Sequence, residues 1–343
     1  MSSGRSFAMS EREWFIPSLM LTAGLGIAAA LLMPFAGYEG IPPYFGKFVL
    51  WLKYALVGGV LLLAARVWKL RAAGIASPIS HLRTQFMEKK SALIFAVSGM
   101  LLAGVDMLFF MWIKPEVTAV APFRADELFA DMDHAIFGMD PWRLFEGFDL
   151  EFHAFAYSFF WAIAVMAALV WLLAQPQSRE RSTSLLSYFA LWSVFGPLGQ
   201  YFLSAAGPIF YARIGLGDRF TDLERNIPDV TNQVSAYLWN MHVNGTLGPG
   251  AGISAMPSLH IATVTWIFLV FRNQESRFAP IAVLFALYIF ALSVALGWHY
   301  AVDGIVGAAG ALVSHAACRA YLGRGAAIKA RLEPLPPSAE EPA

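Results

Sequence analysis

The sequence predicts an all-α, polytopic membrane protein, and three observations support this fold class. Of its 343 residues, 58% are hydrophobic and only 14% are charged, whereas soluble domains carry roughly a quarter charged residues. The mean hydropathy is +0.56. Eight segments approach the roughly 20 apolar residues that a membrane-spanning helix needs. Basic and acidic residues balance at 24 each, and we expect no nucleic-acid partner because no basic stripe is present.

The predicted spans form a helix bundle of about eight transmembrane helices. The first has too long an apolar core for a signal peptide, and no cleavage site precedes the Pro-rich loop that follows it. In chain order the spans are Trp14–Ala36, Phe48–Val67, Ala92–Trp112, Phe155–Leu173, Leu185–Ala205, Leu259–Phe271, Pro280–Leu296 and Val302–Leu322.

The distribution of basic residues predicts the orientation of the bundle. If the N-terminus is inside and the spans alternate, sixteen Lys and Arg fall inside and seven fall outside. Cytoplasmic loops carry such an excess. We therefore expect a multi-pass integral membrane protein with both termini in the cytoplasm.

These spans divide the chain into three regions. Residues 1–90 are expected to form a two-helix membrane extension and a cytoplasmic loop, and residues 91–323 a six-helix catalytic domain. The composition of residues 324–343 is typical of a disordered cytoplasmic tail. Within the domain, extracytoplasmic segments are expected at residues 114–152 and 207–255. The first holds an amphipathic stretch, Glu127–Gly138, whose apolar residues recur at helical spacing.

Two short motifs are predicted to meet at one membrane face. The first is Ser254-Ala-Met-Pro-Ser-Leu-His260, at the outer start of the sixth span. The second is Gly297-Trp-His-Tyr-Ala-Val-Asp-Gly304, at the outer turn between the last two spans. Because the orientation came from the basic residues alone, this convergence is independent support for a single site.

The residue types in these motifs suit displacement at phosphorus. His299 and Asp303 are four apart at a helix start, so their side chains share one face. A carboxylate there can accept the proton of one imidazole nitrogen and aim the other outward as a nucleophile. His260 could donate a proton to a leaving oxygen. Free N–H groups at the helix start would suit a phosphate, and neither a cofactor nor a metal is required.

Met256-Pro-Ser-Leu-His260 together with His299-Tyr-Ala-Val-Asp303 resembles the type-2 phosphatidic acid phosphatase superfamily. More narrowly, the chain is similar to the inositol-phosphorylceramide synthase (aureobasidin-resistance) branch, since Phe137–Trp142 and Ala206–Tyr211 look like extracytoplasmic elements of that branch. The resemblance covers Phe109 to Leu322. It implies a six-helix catalytic core in which His299 is the nucleophile, Asp303 orients it and His260 is the leaving-group acid. The implied intermediate is a phosphohistidine.

The chain also departs from the phosphatase branch of this family. It has no Arg-Pro dipeptide, Ser293 stands where that branch has a phosphate-binding Arg, and Leu259 replaces a Gly. The cations that hold the phosphate are therefore unassigned. The outer candidates are Lys114, Arg124, Arg143, Arg213, Arg219 and Arg225. We expect substrate binding by Arg143 and Arg213, which follow the two resembling segments, and by Ser258 and Tyr211.

The function expected from these features is transfer of a phospho-headgroup, similar to inositol phosphate, at the extracytoplasmic face. The partners would be a phospholipid donor and a lipid hydroxyl acceptor such as ceramide or diacylglycerol. A hydrolase of a lipid phosphate or prenyl diphosphate is the closest alternative. A proton-coupled transporter using the same His and Asp residues, and a zinc site built from them, are further alternatives.

Overall fold

The computed structural model describes residues 2–36, 45–88 and 90–332, and every regular element in these ranges is helical. Three short non-α segments interrupt the bundle, at Pro141–Phe145, Leu191–Phe195 and Pro208–Phe210. The α-helices are α1 (Ser2–Ala36), α2 (Phe45–Ala72), α3 (Pro78–Glu88), α4 (Lys90–Val120), α5 (Asp126–Phe137), α6 (Glu151–Leu173), α7 (Arg179–Ala190), α8 (Gly196–Phe202), α9 (Thr221–Asn226), α10 (Asp229–Asn244), α11 (Leu259–Asn273), α12 (Ala279–Ala295) and α13 (Ala301–Leu332).

The predicted all-α membrane fold is confirmed. Helices α1, α2, α4, α6 and α13 each contain a stretch that is long and apolar enough to cross a membrane. The shorter apolar helices α11 and α12 coincide with the sixth and seventh predicted spans. Helix α5 occupies the amphipathic stretch that the sequence predicts to be helical.

The fifth predicted span differs from a single regular helix. It consists of α7, a π-helical turn at Leu191–Phe195, and α8. Pro197 lies at the start of α8, and proline has no N–H to donate to the preceding turn. Where π-helix occurs, it is mostly a single turn inside an α-helix, and here it directly precedes the turn that Pro197 deprives of a donor.

The apolar interior forms two clusters. The larger lies among the membrane helices and includes Trp14, Leu172 and Trp266. The smaller lies beyond the ends of the membrane helices, where α5 packs against residues 205–227, 253–256 and 300–302. The smaller cluster thus joins the extramembrane segments to the start of α13.

Close approach of α13 to α11 brings the two histidine motifs together. A side chain at Gly307 would overlap the backbone of Ser258, and one at Gly304 would lie 3.3 Å from Cγ1 of Ile261 in α11 and 2.6 Å from Cδ2 of Phe290 in α12. These distances are too short for ordinary contact, so these small residues permit the packing. The Ser258 amide also donates to the Asp303 carbonyl, at 3.3 Å.

Helices α1 and α2, which the sequence groups as one extension, are packed very differently. In α1, Glu11 forms a buried ion pair with Arg181 at 2.8 Å, and Thr22 donates to Asp106 at 2.8 Å. In α2, no residue of the most apolar part of the predicted span is buried. Helix α1 is therefore an integral part of the bundle, and α2 lies at its edge.

At the C-terminal end, α13 continues to Leu332. The helix thus extends past the end of its apolar run into the segment for which the sequence predicts a disordered cytoplasmic tail, and that tail stays a prediction. Residues 333–343 lie outside the described residues, as does the loop at 37–44 between the first two predicted spans.

Candidate functional site

His299 lies in the turn between α12 and α13, and only 5% of its surface is exposed. Its Nδ1 is 2.7 Å from the carbonyl oxygen of Ala255. A backbone carbonyl can only accept a hydrogen bond, so Nδ1 must carry the proton when this bond is made. The other ring nitrogen, Nε2, is then unprotonated and has a free lone pair, as a nucleophile requires.

Asp303 is completely buried and lies behind the same nitrogen. Its Oδ2 is 3.5 Å from Nδ1 of His299 and accepts a hydrogen bond of 2.9 Å from the amide of Tyr300. An acidic side chain that reaches back to the residue before its helix forms half of a capping box. The helix start thus fixes the carboxylate where it can stabilise a positively charged imidazole.

His260 is the second residue of α11, which Ser258 caps by accepting from the Ile261 amide at 3.4 Å. The His260 ring is half-buried and stacks on Tyr157, with centroids 4.5 Å apart. The centroid of the His260 ring also lies 4.1 Å from that of Trp161. Among the described residues, neither ring nitrogen of His260 has a hydrogen-bond partner.

The two histidine rings are neighbours, with centroids 6.0 Å apart and planes inclined by 62°. Hydrogen bonds to reacting groups span about 2.6–3.2 Å between heavy atoms. Both rings can therefore contact one phosphate group placed between them. The structure brings together all three residues that the sequence predicts to be catalytic.

The start of α13 is closed to a phosphate. Asp133 of α5 accepts hydrogen bonds from the amides of Ala301, at 2.6 Å, and Val302, at 2.9 Å. The expectation that these N–H groups are free is therefore wrong, because a carboxylate from a distant segment already occupies them. Burial raises the pKa of Asp133 to about 6, although the two amides favour its charged form.

A second carboxylate of α5 positions the Ala255 carbonyl indirectly. Asp126 accepts from the amides of Ala206 and Gly207, both at 2.8 Å, and from the Tyr300 hydroxyl at 3.0 Å. The neighbouring Ala205 carbonyl accepts from the Ala255 amide at 2.8 Å. A chain of hydrogen bonds thus runs from Asp126 to the residue that fixes His299. Burial raises the pKa of Asp126.

Neither Asp126 nor Asp133 was identified from the sequence, although their spacing carried a signal. The two aspartates are seven residues apart, so they share one face of α5 with the buried Phe129 and Ala130. Two acids within the apolar stripe of an amphipathic helix are unusual, since buried carboxylates need partners. Asp133 lies within the predicted amphipathic stretch Glu127–Gly138, and Asp126 directly precedes it.

The residues expected to bind substrate have other partners in the structure. The Ser258 hydroxyl caps α11, and Tyr211 is buried against Phe220, with ring centroids 5.0 Å apart. Arg143 donates to Glu146 at 2.9 Å and lies 3.7 Å from Asp222. Arg213 donates to the Ser235 hydroxyl at 3.3 Å.

Lys114, near the end of α4, is close enough to His260 for a Coulombic interaction between their side chains. Its ammonium has no hydrogen-bond or ion-pair partner in the described part of the chain. By contrast, Arg219, another predicted candidate, is bound to Asp140 and Asp131, each at 2.7 Å. Of the candidate cations, Lys114 is thus available to a negatively charged ligand near His260.

Metal binding was an alternative for the same residues. Across the described ranges, no group of three or more His, Cys, Asp or Glu side chains has an arrangement that could hold a metal ion.

Comparison with known proteins gives one result that concerns this site. No curated protein and no solved structure matches the chain. Residues 148–317, about half of the chain, match the model of the PAP2 superfamily, so the segment that carries His260, His299 and Asp303 is similar to that family.

Proposed function

We propose that the chain is an integral-membrane enzyme that transfers a phospho-headgroup between lipids through a phosphohistidine at His299. Members of the PAP2 superfamily are generally phosphatases or phosphotransferases acting on lipid phosphates. The observation that carries the proposal is the hydrogen bond of 2.7 Å from Nδ1 of His299 to the Ala255 carbonyl. It leaves Nε2 as a nucleophile 6.0 Å, ring to ring, from a second histidine.

In the first step, Nε2 of His299 attacks the phosphorus of the donor lipid, and the bond from phosphorus to the diacylglycerol oxygen breaks. Protonated His260 gives its proton to that oxygen. In the second step, His260 takes the proton of the acceptor hydroxyl, whose oxygen attacks the phosphohistidine. His299 is then free again, and His260 has regained its proton. Lys114 would neutralise charge on the phosphate.

The burial of His299 supports transfer rather than hydrolysis. With 5% of its surface exposed, the phosphohistidine would be shielded from bulk water until an acceptor arrives. A hydrolase remains the second candidate, because a void of about 10 Å³ lies beside His299, between Asp133, Trp142 and Tyr300. That is about the volume needed to hold one water molecule.

Within the superfamily, we infer a relationship to inositol-phosphorylceramide synthases. The position where the phosphatase branch has an Arg is Ser293, which is buried and donates to the Phe290 carbonyl at 2.7 Å. Its own carbonyl accepts from the His299 amide at 3.1 Å. Ser293 thus has a backbone-positioning role here, and the phosphate must find its cation elsewhere.

A lipid turnover assay tests the proposal. Purified protein in detergent receives one of several phospholipid donors, with ceramide, with diacylglycerol or without an acceptor. We expect a new phospholipid only when donor and acceptor are both present, and none from His299→Ala. The control is His81→Ala, which removes an exposed histidine of α3.

Release of inorganic phosphate or phospho-headgroup without an acceptor would instead identify a hydrolase. Loss of activity on adding a strong chelator would support the metal alternative. Equal turnover by wild type and His299→Ala would contradict both phosphohistidine functions.

We also propose that both termini are cytoplasmic and that the site faces the other side. The excess of basic residues supports this orientation. Single cysteines introduced at Arg83 and at Gly217, in a Cys318→Ala background, would report it in intact cells. A membrane-impermeant thiol reagent should label position 217 alone, and labelling of position 83 alone would reverse the orientation.

A further inference from the structure

A groove of about 900 Å³ lies between α2, α3 and α4. Its volume is within the roughly 300–1,000 Å³ typical of small-molecule sites. The α2 side is formed by Val60, Leu63, Ala64, Val67, Trp68 and Arg71. These positions recur every three or four residues, so one face of α2 lines the groove.

The walls of the groove are apolar, and its rim is basic. Helix α3 contributes Phe86 and Met87, which are exposed, and Leu82, which is buried at the base. The charged lining residues are Arg71, Arg83 and Lys90. None of these three cations has an ion-pair or hydrogen-bond partner for its side chain among the described residues, and no carboxylate lines the groove.

The groove is remote from the candidate catalytic site. Lys90 lines the groove at the first turn of α4, whereas Lys114 on the same helix lies near His260. The 24 residues between them correspond to roughly 36 Å along a helix, more than the roughly 30 Å thickness of a hydrocarbon core. The groove therefore opens at the opposite membrane face.

We propose that this groove binds one anionic glycerophospholipid from the adjoining membrane leaflet. An acyl chain would lie against the apolar faces of α2 and α3, and the phosphate would contact Arg71, Arg83 and Lys90. Three unpaired cations beside an apolar cleft complement a molecule that joins a negative headgroup to a hydrocarbon chain. A zwitterionic lipid would leave that positive charge uncompensated.

Native mass spectrometry of the full-length protein tests the charge requirement. The protein is delipidated in detergent and titrated with phosphatidylglycerol or with phosphatidylcholine of the same acyl chains. We expect tighter binding of phosphatidylglycerol. The double variant Arg71→Ala, Arg83→Ala should weaken it roughly 25-fold, since each basic residue near a membrane surface contributes about fivefold.

The matched control is Arg66→Ala, Lys69→Ala, which also removes two cations, both of them on α2, but neither lines the groove. It should leave binding unchanged. If both double variants weaken binding equally, the effect is general surface charge and the proposal fails. Equal affinity for the two lipids in wild type would overturn it as well.

A groove-filling variant tests the acyl-chain contact. Ala64→Trp adds a large side chain to the lining, whereas Ala65→Trp makes the same change at the next residue, which is exposed and does not line the groove. Loss of phosphatidylglycerol in the first variant alone is expected, with thermal unfolding of both close to wild type. Loss of a dimer instead would assign the groove to a second copy of the chain. Lipid retention in a folded Ala64→Trp protein would also contradict the proposal.

Discussion

The two histidines of the candidate site lie side by side but are held by different kinds of contact. His299 is fixed by hydrogen bonding, with a carbonyl at 2.7 Å and a carboxylate at 3.5 Å from the same nitrogen. His260 is fixed by aromatic faces, those of Tyr157 and Trp161. The first arrangement dictates which nitrogen carries the proton. The second orients the ring and leaves both nitrogens without a hydrogen-bond partner in the part of the chain that the structure describes.

This difference matches the two chemical roles. A nucleophile needs one nitrogen that stays unprotonated, so a fixed tautomer is an advantage. A general acid that later acts as a base must lose and regain its proton in each cycle. Contacts with ring faces hold His260 in place without accepting or supplying that proton.

The largest effect is expected for His299→Ala, because His299 is the proposed nucleophile that forms the covalent intermediate. Turnover should fall by about 10⁴-fold or more, and radiolabelled donor should leave no acid-labile, base-stable phosphate on the protein. The His81→Ala control should retain both. Labelling of His299→Ala would show that the nucleophile lies elsewhere.

His260→Ala should cost less, about 10²- to 10⁴-fold, which is the range for a lost general acid. The loss should shrink for a donor whose leaving oxygen is a nitrophenol, since that group departs without a proton. Phosphate should still accumulate on His299. An equal loss with both donors would assign His260 to positioning or phosphate binding instead.

Asp303→Asn is expected to reduce turnover only about 10- to 100-fold. In a serine protease triad, the corresponding change costs about 10⁴-fold because the histidine adopts the wrong tautomer. Here the Ala255 carbonyl holds the tautomer independently, so only the electrostatic stabilisation is lost. Measurement of kcat with a saturating donor would reveal this decrease. A decrease as large as that of His299→Ala would show that the Ala255 carbonyl alone does not hold the tautomer.

The smallest expected effect is on the pH dependence of the free energy of unfolding, and it comes from Asp133. Its folded pKa of about 6 lies above the ordinary 3.8, so the folded state holds the proton more tightly. Its contribution to the free energy of unfolding is therefore full below about pH 4 and is lost as the pH rises through about 6. The change is on the order of 3 kcal/mol.

Asp133→Asn keeps an oxygen acceptor for the α13 amides and removes the titration. Thermal unfolding in detergent should then be less pH-dependent between pH 4 and 7 than in wild type. Parallel profiles for the two proteins would mean that Asp133 does not titrate in this range.

Much of this architecture follows from local patterns in the sequence. Apolar runs placed α4, α6 and α13 correctly, because one helix needs only its own residues to span a membrane. The basic-residue count predicted that His260 and His299 lie at the same membrane face, and in the structure their rings are 6.0 Å apart. Their roles as acid and nucleophile remain predictions.

What the sequence did not reveal depends on contacts between distant segments. The tautomer of His299 is set by Ala255, 44 residues away, and a backbone carbonyl has no residue-type signature. Asp133 reaches the start of α13 across 168 residues. The sequence favours Arg143 and Arg213 as phosphate ligands because each follows a segment that resembles the synthase branch. In the structure, however, Arg143 donates to Glu146 and Arg213 donates to Ser235.

The buried pair of Glu11 and Arg181 has a consequence for shortened forms of the protein. Arg181 lies 170 residues from Glu11 in sequence and also donates to the carbonyls of Leu172 and Leu173. Deleting α1 would leave a guanidinium without its counter-charge in the bundle, and breaking a buried pair costs about 3–5 kcal/mol. The segment that carries the chemistry is thus not a separable module, and an expression strategy that keeps only that segment should yield an unstable protein.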